Sequence, residues 1–165
     1  MIEVRTARPD EWRRVRDLRL RALADSPDAF GSTLEHERAH AKRDWLHWIS
    51  GWERSVNRLV VAVDGDEWIG MAVGSRTGED DRAHLYAMWV DPRSRRAGVG
   101  RRLVEAVLEW ARAEGATEIE LGATAINRAA VEFYERLGFS DTGERHALRD
   151  GSPLEVIVMR RGLAG

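Results

Sequence analysis

The stretch from His84 to Leu121 constrains the fold more than any other. His84 to Val90 reads as a strand that stops at Asp91-Pro92. A basic, glycine-bearing turn follows, then a strongly periodic helix from Arg101 to Ala113, with Leu103, Val104, Val107, Leu108 and Trp110 toward one side. Gly115 stands where a helix stops, and Glu118 to Leu121 resumes as a strand. A strand, a helix and a second strand in this order imply a parallel crossover, because short turns join only antiparallel neighbours.

The flanking segments read as hairpins and helices. Ile2 to Ala7 alternates as a half-buried strand does, and Pro9-Asp10 opens a helix to about Leu23 with Trp12, Val15, Leu18 and Leu23 as its apolar stripe. Ala29 to Leu34 reads as a loop. A second helical stretch is expected from Glu35 to Trp52, where Trp45, Trp48 and Trp52 would share one face. Leu59–Val63 and Trp68–Ser75 flank Asp64-Gly65-Asp66, a hairpin turn. Asn127 to Leu137 reads as a helix closed by Gly138, and two strands follow, from Phe139 and through Val156–Met159, turning at Asp150-Gly151. The expected order is β-α-α-β-β-β-α-β-α-β-β. That is an α/β (α+β) chain with a central mixed, mostly antiparallel sheet and helices on both faces. Residues 1–165 suit a single domain.

Composition narrows the function. Net charge is −2, from 26 basic and 28 acidic residues, so nothing in the total favours nucleic acid or a membrane surface. There is no cysteine, which excludes disulfides, thiolate metal sites and a cysteine nucleophile. The start, Met1-Ile2-Glu3-Val4-Arg5, has no apolar signal core, and no apolar run approaches the roughly 20 residues of a membrane span. A soluble, cytoplasmic protein is the expectation.

The turn itself is Arg93-Ser94-Arg95-Arg96-Ala97-Gly98-Val99-Gly100-Arg101-Arg102. A helix start offers unpaired N–H groups and the positive end of the dipole, so it holds anions. Glycine at 98 and 100 lets a phosphate approach the backbone, and the arginines add a positive field. Neither standard nucleotide motif fits. No Gly-Lys-Ser/Thr ending is present, and Leu103 stands where the dinucleotide pattern needs its third glycine.

Arg95-Arg96-Ala97-Gly98-Val99-Gly100 does match an Arg/Gln-x-x-Gly-x-Gly/Ala signature, and here the chain resembles the GCN5-related N-acetyltransferase (GNAT) family. A second block agrees: Asn127-Arg128-Ala129-Ala130-Val131-Glu132-Phe133-Tyr134-Glu135-Arg136-Leu137-Gly138-Phe139 is similar to the family's Asn-x-x-Ala-x-x-x-Tyr-x-x-x-Gly-Phe segment. The resemblance covers the chain from about residue 57 onward, and the first two helices more loosely.

The resemblance implies acetyl-CoA as co-substrate, no metal, and strands splayed around the acyl-CoA. The backbone of Met88, Trp89 and Val90 would pair with the pantetheine arm. The turn of Arg95, Arg96, Ala97, Gly98, Val99, Gly100 and Arg101 would cradle the pyrophosphate, and Asn127 would contact the cofactor. Tyr134 would be the general acid for the departing thiolate; read from periodicity alone, it is an amphipathic core residue. Gly122 stands about where family members acting on protein N-termini carry a glutamate, which argues against that acceptor. Glu35, His84, Glu120 and Tyr86 remain candidate bases. Phe30 and Glu35, in a segment resembling an acceptor-site loop, would shape or charge the amine pocket. The tryptophan stripe could wall that pocket or simply pack on the sheet.

The implied function is transfer of an acetyl group to a primary amine of a small molecule, peptide or protein, by direct attack in a ternary complex. The alternative is a non-catalytic acyl-CoA sensor. The resemblance also allows a homodimer.

Overall fold

The computed structural model describes residues 1–163. In chain order the elements are β1 (Ile2–Thr6), α1 (Trp12–Asp25), α2 (Leu34–Arg38), α3 (Lys42–Ser50), β2 (Val56–Asp64), β3 (Glu67–Arg76), β4 (Arg82–Val90), α4 (Val99–Ala113), β5 (Glu118–Thr124), α5 (Arg128–Arg136), β6 (Ser140–Ala147) and β7 (Glu155–Gly162). One 7-stranded sheet runs β1-β2-β3-β4-β5-β7-β6. Every neighbouring pair is antiparallel except β4 and β5, which α4 joins as the expected parallel crossover.

Each face of the sheet carries its own core. On one side, Leu103, Val104 and Val107 of α4 and Val131 of α5 bury against Val60, Ala72, Leu85, Ile119 and Met159. On the other, Val15, Leu18 and Leu23 of α1 and Trp45 and Ile49 of α3 bury against Leu59, Val61, Met71 and Val73. The period-2 alternation of β2 and β3 thus feeds both layers, which is why these strands read as nearly continuous aliphatics. Gly74 sets the α4 contact: a Cβ there would stand 2.5 Å from the Trp110 ring, so the indole lies directly on β3. No helix among the described residues is long and apolar enough to cross a membrane.

The helix expected over 35–52 is two helices. Thr33 caps α2 by accepting from the His36 N–H at 3.2 Å, and the chain breaks at Ala39–Ala41. Asp44 then accepts from the Ala41 N–H at 2.8 Å and starts α3. The backbone turns out of α3 at Gly51, so the three tryptophans do not share a face. Trp45 is fully buried and Trp48 half-buried, whereas Trp52 is 57% exposed and lies against His47.

Candidate active site

The site begins where two strands part. β4 and β5 pair at Arg82↔Glu118, Ala83↔Ile119 and His84↔Glu120, and beyond that both run on unpaired to each other. β4 also carries a bulge: Val73 faces Tyr86 but Met71 faces Trp89, so Ala72 opposes two residues. Ala87 sits in the bulge at φ +55, a left-handed conformation that costs a non-glycine residue on the order of 1 kcal/mol. The bulge reverses the alternation. Ala83 and Leu85 face the α4 layer, while Ala87 and Trp89 face the α1 layer. A cleft of about 690 Å³ fills the opening, with Leu85, Ala87 and Met88 on one wall and Leu121, Gly122 and Thr124 on the other.

One end of the opening is the turn before α4. Arg96 (φ +68) and Gly98 (φ +79) are both left-handed, and Gly98 is the N-cap of α4. The first bond into the helix runs from the Arg102 N–H to the Gly98 carbonyl at 3.2 Å, leaving the amides of Val99, Gly100 and Arg101 without intrahelical acceptors. Such a run of outward N–H groups is an anion-binding concavity. A Cβ at Gly98 would meet nothing within 4 Å, so that side is open; at Gly100 it would meet Met88 Cε at 3.0 Å and Phe133 Cζ at 3.2 Å.

The arginines do not all face this concavity. Arg95 turns inward, donating from Nε to the Val90 carbonyl at 2.8 Å and from Nη2 to Asp25 at 2.9 Å. Trp89 Nε1 donates to the same Asp25 oxygen at 3.1 Å, so the ends of α1 and β4 are tied together. Arg93 and Arg21 both hold the buried Asp91 carboxylate, and Arg93 also reaches Glu67 at 2.7 Å. The Arg93 side chain, with its N–H and Arg21, holds the Asp91 carboxyl down to about 2. Arg102 is bound to the Ile2 carbonyl, and Arg101 stands 3.5 Å from Glu105. Arg96 is exposed and carries no side-chain hydrogen bond among the described residues. Arg95 therefore shapes the turn, and the groups left free there are backbone amides with Arg96 beside them. Asn127 caps α5, its Oδ1 accepting from the Ala130 N–H at 3.2 Å, and is exposed.

Tyr134 lines the cleft from α5. Its ring packs between Phe133 and Phe139, and its hydroxyl has no hydrogen-bond partner among the described residues. Burial pushes the phenol well above its ordinary value, so it stays protonated. Gly122 lies across the cleft on β5, where a side chain would meet Val156 Cγ1 at 2.7 Å.

The other end of the cleft is built by α1, the loop after it, α3 and β4. Phe30 lines it and is buried, its carbonyl accepting from Arg149 at 2.8 Å. Glu35 is exposed on α2 and outside the lining; the acid that lines the cleft is Glu37, two residues on. Glu37 takes a two-bond fork from Arg19, at 2.8 and 2.9 Å, with both side chains 8% exposed. Burial raises the Glu37 carboxyl and the Arg19 fork outweighs it, leaving it below the ordinary carboxylate value.

Of the remaining candidate bases, His84, Glu120 and Tyr86 all line the cleft. His84 Nε2 is 3.8 Å from Glu120, and its ring stacks on Tyr86 at 5.9 Å. Glu120 is already held by Arg160 at 2.6 Å and Arg82 at 3.3 Å. Sequence reasoning missed Arg19, Glu37 and Asn57. Arg19 alone left a signal, a charge placed four residues after Val15 on the apolar stripe of α1.

The strands thus part beside a helix-capping turn of free amides, with the phenol of Tyr134 in the cleft between them. The model of the acetyltransferase (GNAT) family matches residues 12–139. The chain belongs to that family. Streptothricin acetyltransferase of Streptomyces lavendulae is 33% identical over 104 residues, 62% of this chain and 55% of that protein. The crystal structure of nourseothricin acetyltransferase is 32% identical, with a TM-score of 0.61 over 66% of each chain. A Salmonella typhimurium structure with its cofactor acetyl-CoA shares the fold at 18% identity, with a TM-score of 0.78 over 100% of this chain and 95% of its own. The chain spans about half the length of the curated relatives it matches.

Proposed function

We propose that the chain, acting as one domain, transfers an acetyl group from acetyl-CoA to a primary amine by direct attack in a ternary complex. The observation that carries this reading is the succession of the amide-lined turn at Val99–Arg101, whose Gly100 stands against Met88, the β4 edge left unpaired by β5, and the cleft that Met88 and Tyr134 both line. A pyrophosphate fits the turn, because three backbone amides are free and no Cβ obstructs Gly98. The β4 edge left unpaired by β5 at Met88, Trp89 and Val90, where the Val90 carbonyl already accepts from Arg95, would hold an amide-bearing arm through its remaining free groups. Acetyl-CoA supplies the activated acyl group; the residues around it hold and orient it.

In this reading the backbone amides at the β4 bulge stabilise the charge that develops on the thioester carbonyl. Tyr134 donates its proton to the departing thiolate, which its raised proton affinity keeps available across neutral pH. His84 is the favoured base among the candidates, accepting the amine proton directly or through one water, with Glu120 beside it to orient the ring. Glu120 is a weaker choice because two arginines crowd its Oε2 and hold the carboxylate as an anion, leaving only Oε1, which faces His84. Cleft position and the absence of cysteine both favour direct attack, with most of the rate coming from proximity. The cytoplasm is the proposed setting.

The test is thiol release from acetyl-CoA across a panel of primary amines, with acetyl-CoA binding followed separately. Amine-dependent release supports the reading. Binding without any amine-stimulated release would favour an acyl-CoA sensor, and no binding at all would sink both.

A further inference from the structure

Two side chains that line the cleft each carry a buried polar atom without a partner among the described residues, and the atoms are of opposite kind: the donor Arg19 Nη1 and the acceptor Asn57 Oδ1. Both belong to side chains that touch Trp48. The Arg19 guanidinium lies 5.2 Å from the Trp48 ring centre, and Asn57 Nδ2 donates to the Trp48 carbonyl at 3.0 Å. Folded chains seldom leave buried polar atoms unpaired, and of the six such atoms among the described residues these are the two whose side chains line the cleft.

The geometry fixes which edge of Arg19 is free. Glu37 occupies Nε and Nη2, and Phe30 covers one face at 4.6 Å. The guanidinium therefore cannot rotate without breaking a buried ion pair, and the Nη1 edge alone remains for an incoming oxygen. Charge selects the kind of oxygen. Glu37 already neutralises Arg19, so the pair offers a strong donor with no net charge, and a carboxylate brought to it would face the Glu37 carboxylate. Asn57 Oδ1 asks in turn for an N–H. A neutral group with one carbonyl oxygen and one N–H answers both. Phe30, Trp48, Trp52 and Tyr86 around this end suit an aromatic or apolar body.

We propose that the acceptor amine carries an amide group, whose carbonyl oxygen accepts from Arg19 Nη1 and whose N–H donates to Asn57 Oδ1. This rests on the acetyl-transfer reading of the same cleft and deepens it to a substrate class: amides of amino-acid type with an apolar body. Arg19 and Asn57 are then specificity residues. They select the acceptor and take no part in proton transfer.

The experiment measures binding by calorimetry to CoA-saturated protein, with four ligands that share one ring and one amine. L-phenylalaninamide offers both groups, L-phenylalanine methyl ester only the carbonyl, phenethylamine neither, and L-phenylalanine a carboxylate. The amide is expected to bind about 10- to 100-fold tighter than phenethylamine, with the ester between them. Arg19→Lys keeps a cation for Glu37 and removes Nη1, so amide and ester should fall to the phenethylamine level. Asn57→Leu should bring the amide down to the ester. Equal binding of amide and phenethylamine, binding of neither, or tightest binding of free phenylalanine would each overturn the proposal. Because the readout is binding, it is separate from the transferase reading, whose failure would appear as no CoA binding or no amine-dependent thiol release.

Discussion

Tyr134→Phe separates the chemical role of this side chain from its packing role. The ring is retained, with Phe133 at 5.2 Å and Phe139 at 5.9 Å, and the side chain is buried. The hydroxyl that is removed has no hydrogen-bond partner among the described residues, so its loss breaks no bond. The hydroxyl borders the cleft, where water can serve it, so its removal should change stability by no more than about 1 kcal/mol. A domain of this size shifts by roughly 2–4 °C per kcal/mol, so Tm should stay within about 3 °C. Activity should move the other way. Loss of a general acid lowers kcat by about 10²- to 10⁴-fold, equivalent to roughly 3–5 kcal/mol of transition-state stabilisation. The assay is a thermal scan beside thiol release at saturating acetyl-CoA, with acetyl-CoA affinity measured independently. A Tm drop beyond about 3 °C with a small loss of rate would make Tyr134 a packing residue and refute the reasoning. An unchanged rate would place the acid elsewhere. The pH dependence carries a sign of its own: burial raises the folded phenol above its unfolded value of about 10. Its contribution is whole below pH 10 and is lost as the unfolded chain deprotonates first above it, so Tyr134 should give no basic limb to kcat below pH 10.

Asp91→Asn should cost about 1–3 kcal/mol in urea unfolding at pH 7, because the buried carboxylate anchors Arg21 and Arg93 at the mouth of the turn. With the Asp91 carboxyl held to about 2, its stabilisation is present above the unfolded value near 4 and disappears as pH falls toward 2, so the variant's deficit should shrink between pH 5 and 2. A constant deficit across that range would show that packing rather than charge is lost. Gly98→Ala adds a methyl group with nothing within 4 Å but at φ +79, so about 1 kcal/mol of strain is expected in stability. Its larger effect should be a raised KM for acetyl-CoA with the amine KM unchanged; a change in the amine KM alone would move the phosphate site away from this turn. His84→Ala should lower kcat by about 10²-fold or more, with partial recovery on adding imidazole, which the cleft of about 690 Å³ can admit. A normal rate would remove His84 from the chemistry.

The parts of the fold that could be read in the sequence are those set by local rules. The crossover from β4 to β5 follows from strand, turn and helix signals within one short stretch, and the hairpin at Asp64-Gly65-Asp66 from turn residues between alternating runs. The break between α2 and α3 was not legible, because Thr33 and Asp44 are caps only once the chain leaves the helix, and the tryptophan spacing fits one continuous helix equally well. The turn at Arg95–Arg101 was legible as a glycine-bearing helix start with free amides. Which arginines serve it was not, since that depends on Asp25, Glu67 and Asp91, which approach from other elements.

The acceptor end shows the same division more sharply. In the proposed reading, donor binding would use backbone amides and an unpaired strand edge, which any side chains with the right φ and ψ can supply, so a short motif encodes it. Acceptor recognition, as proposed, would use side chains from α1, α2, α3 and β2 that meet only in the folded chain, and no spacing announces them. Arg19 and Glu37 lie on separate helices, and each alone resembles a solvated surface charge. Their mutual burial, and the one guanidinium edge left over, exist only after the sheet has brought Phe30, Trp48 and Asn57 around them. A family can therefore keep its donor motif readable while its acceptor changes through residues that carry no motif. The binding series on Arg19→Lys and Asn57→Leu is the measurement that reads this second, unwritten half of the site.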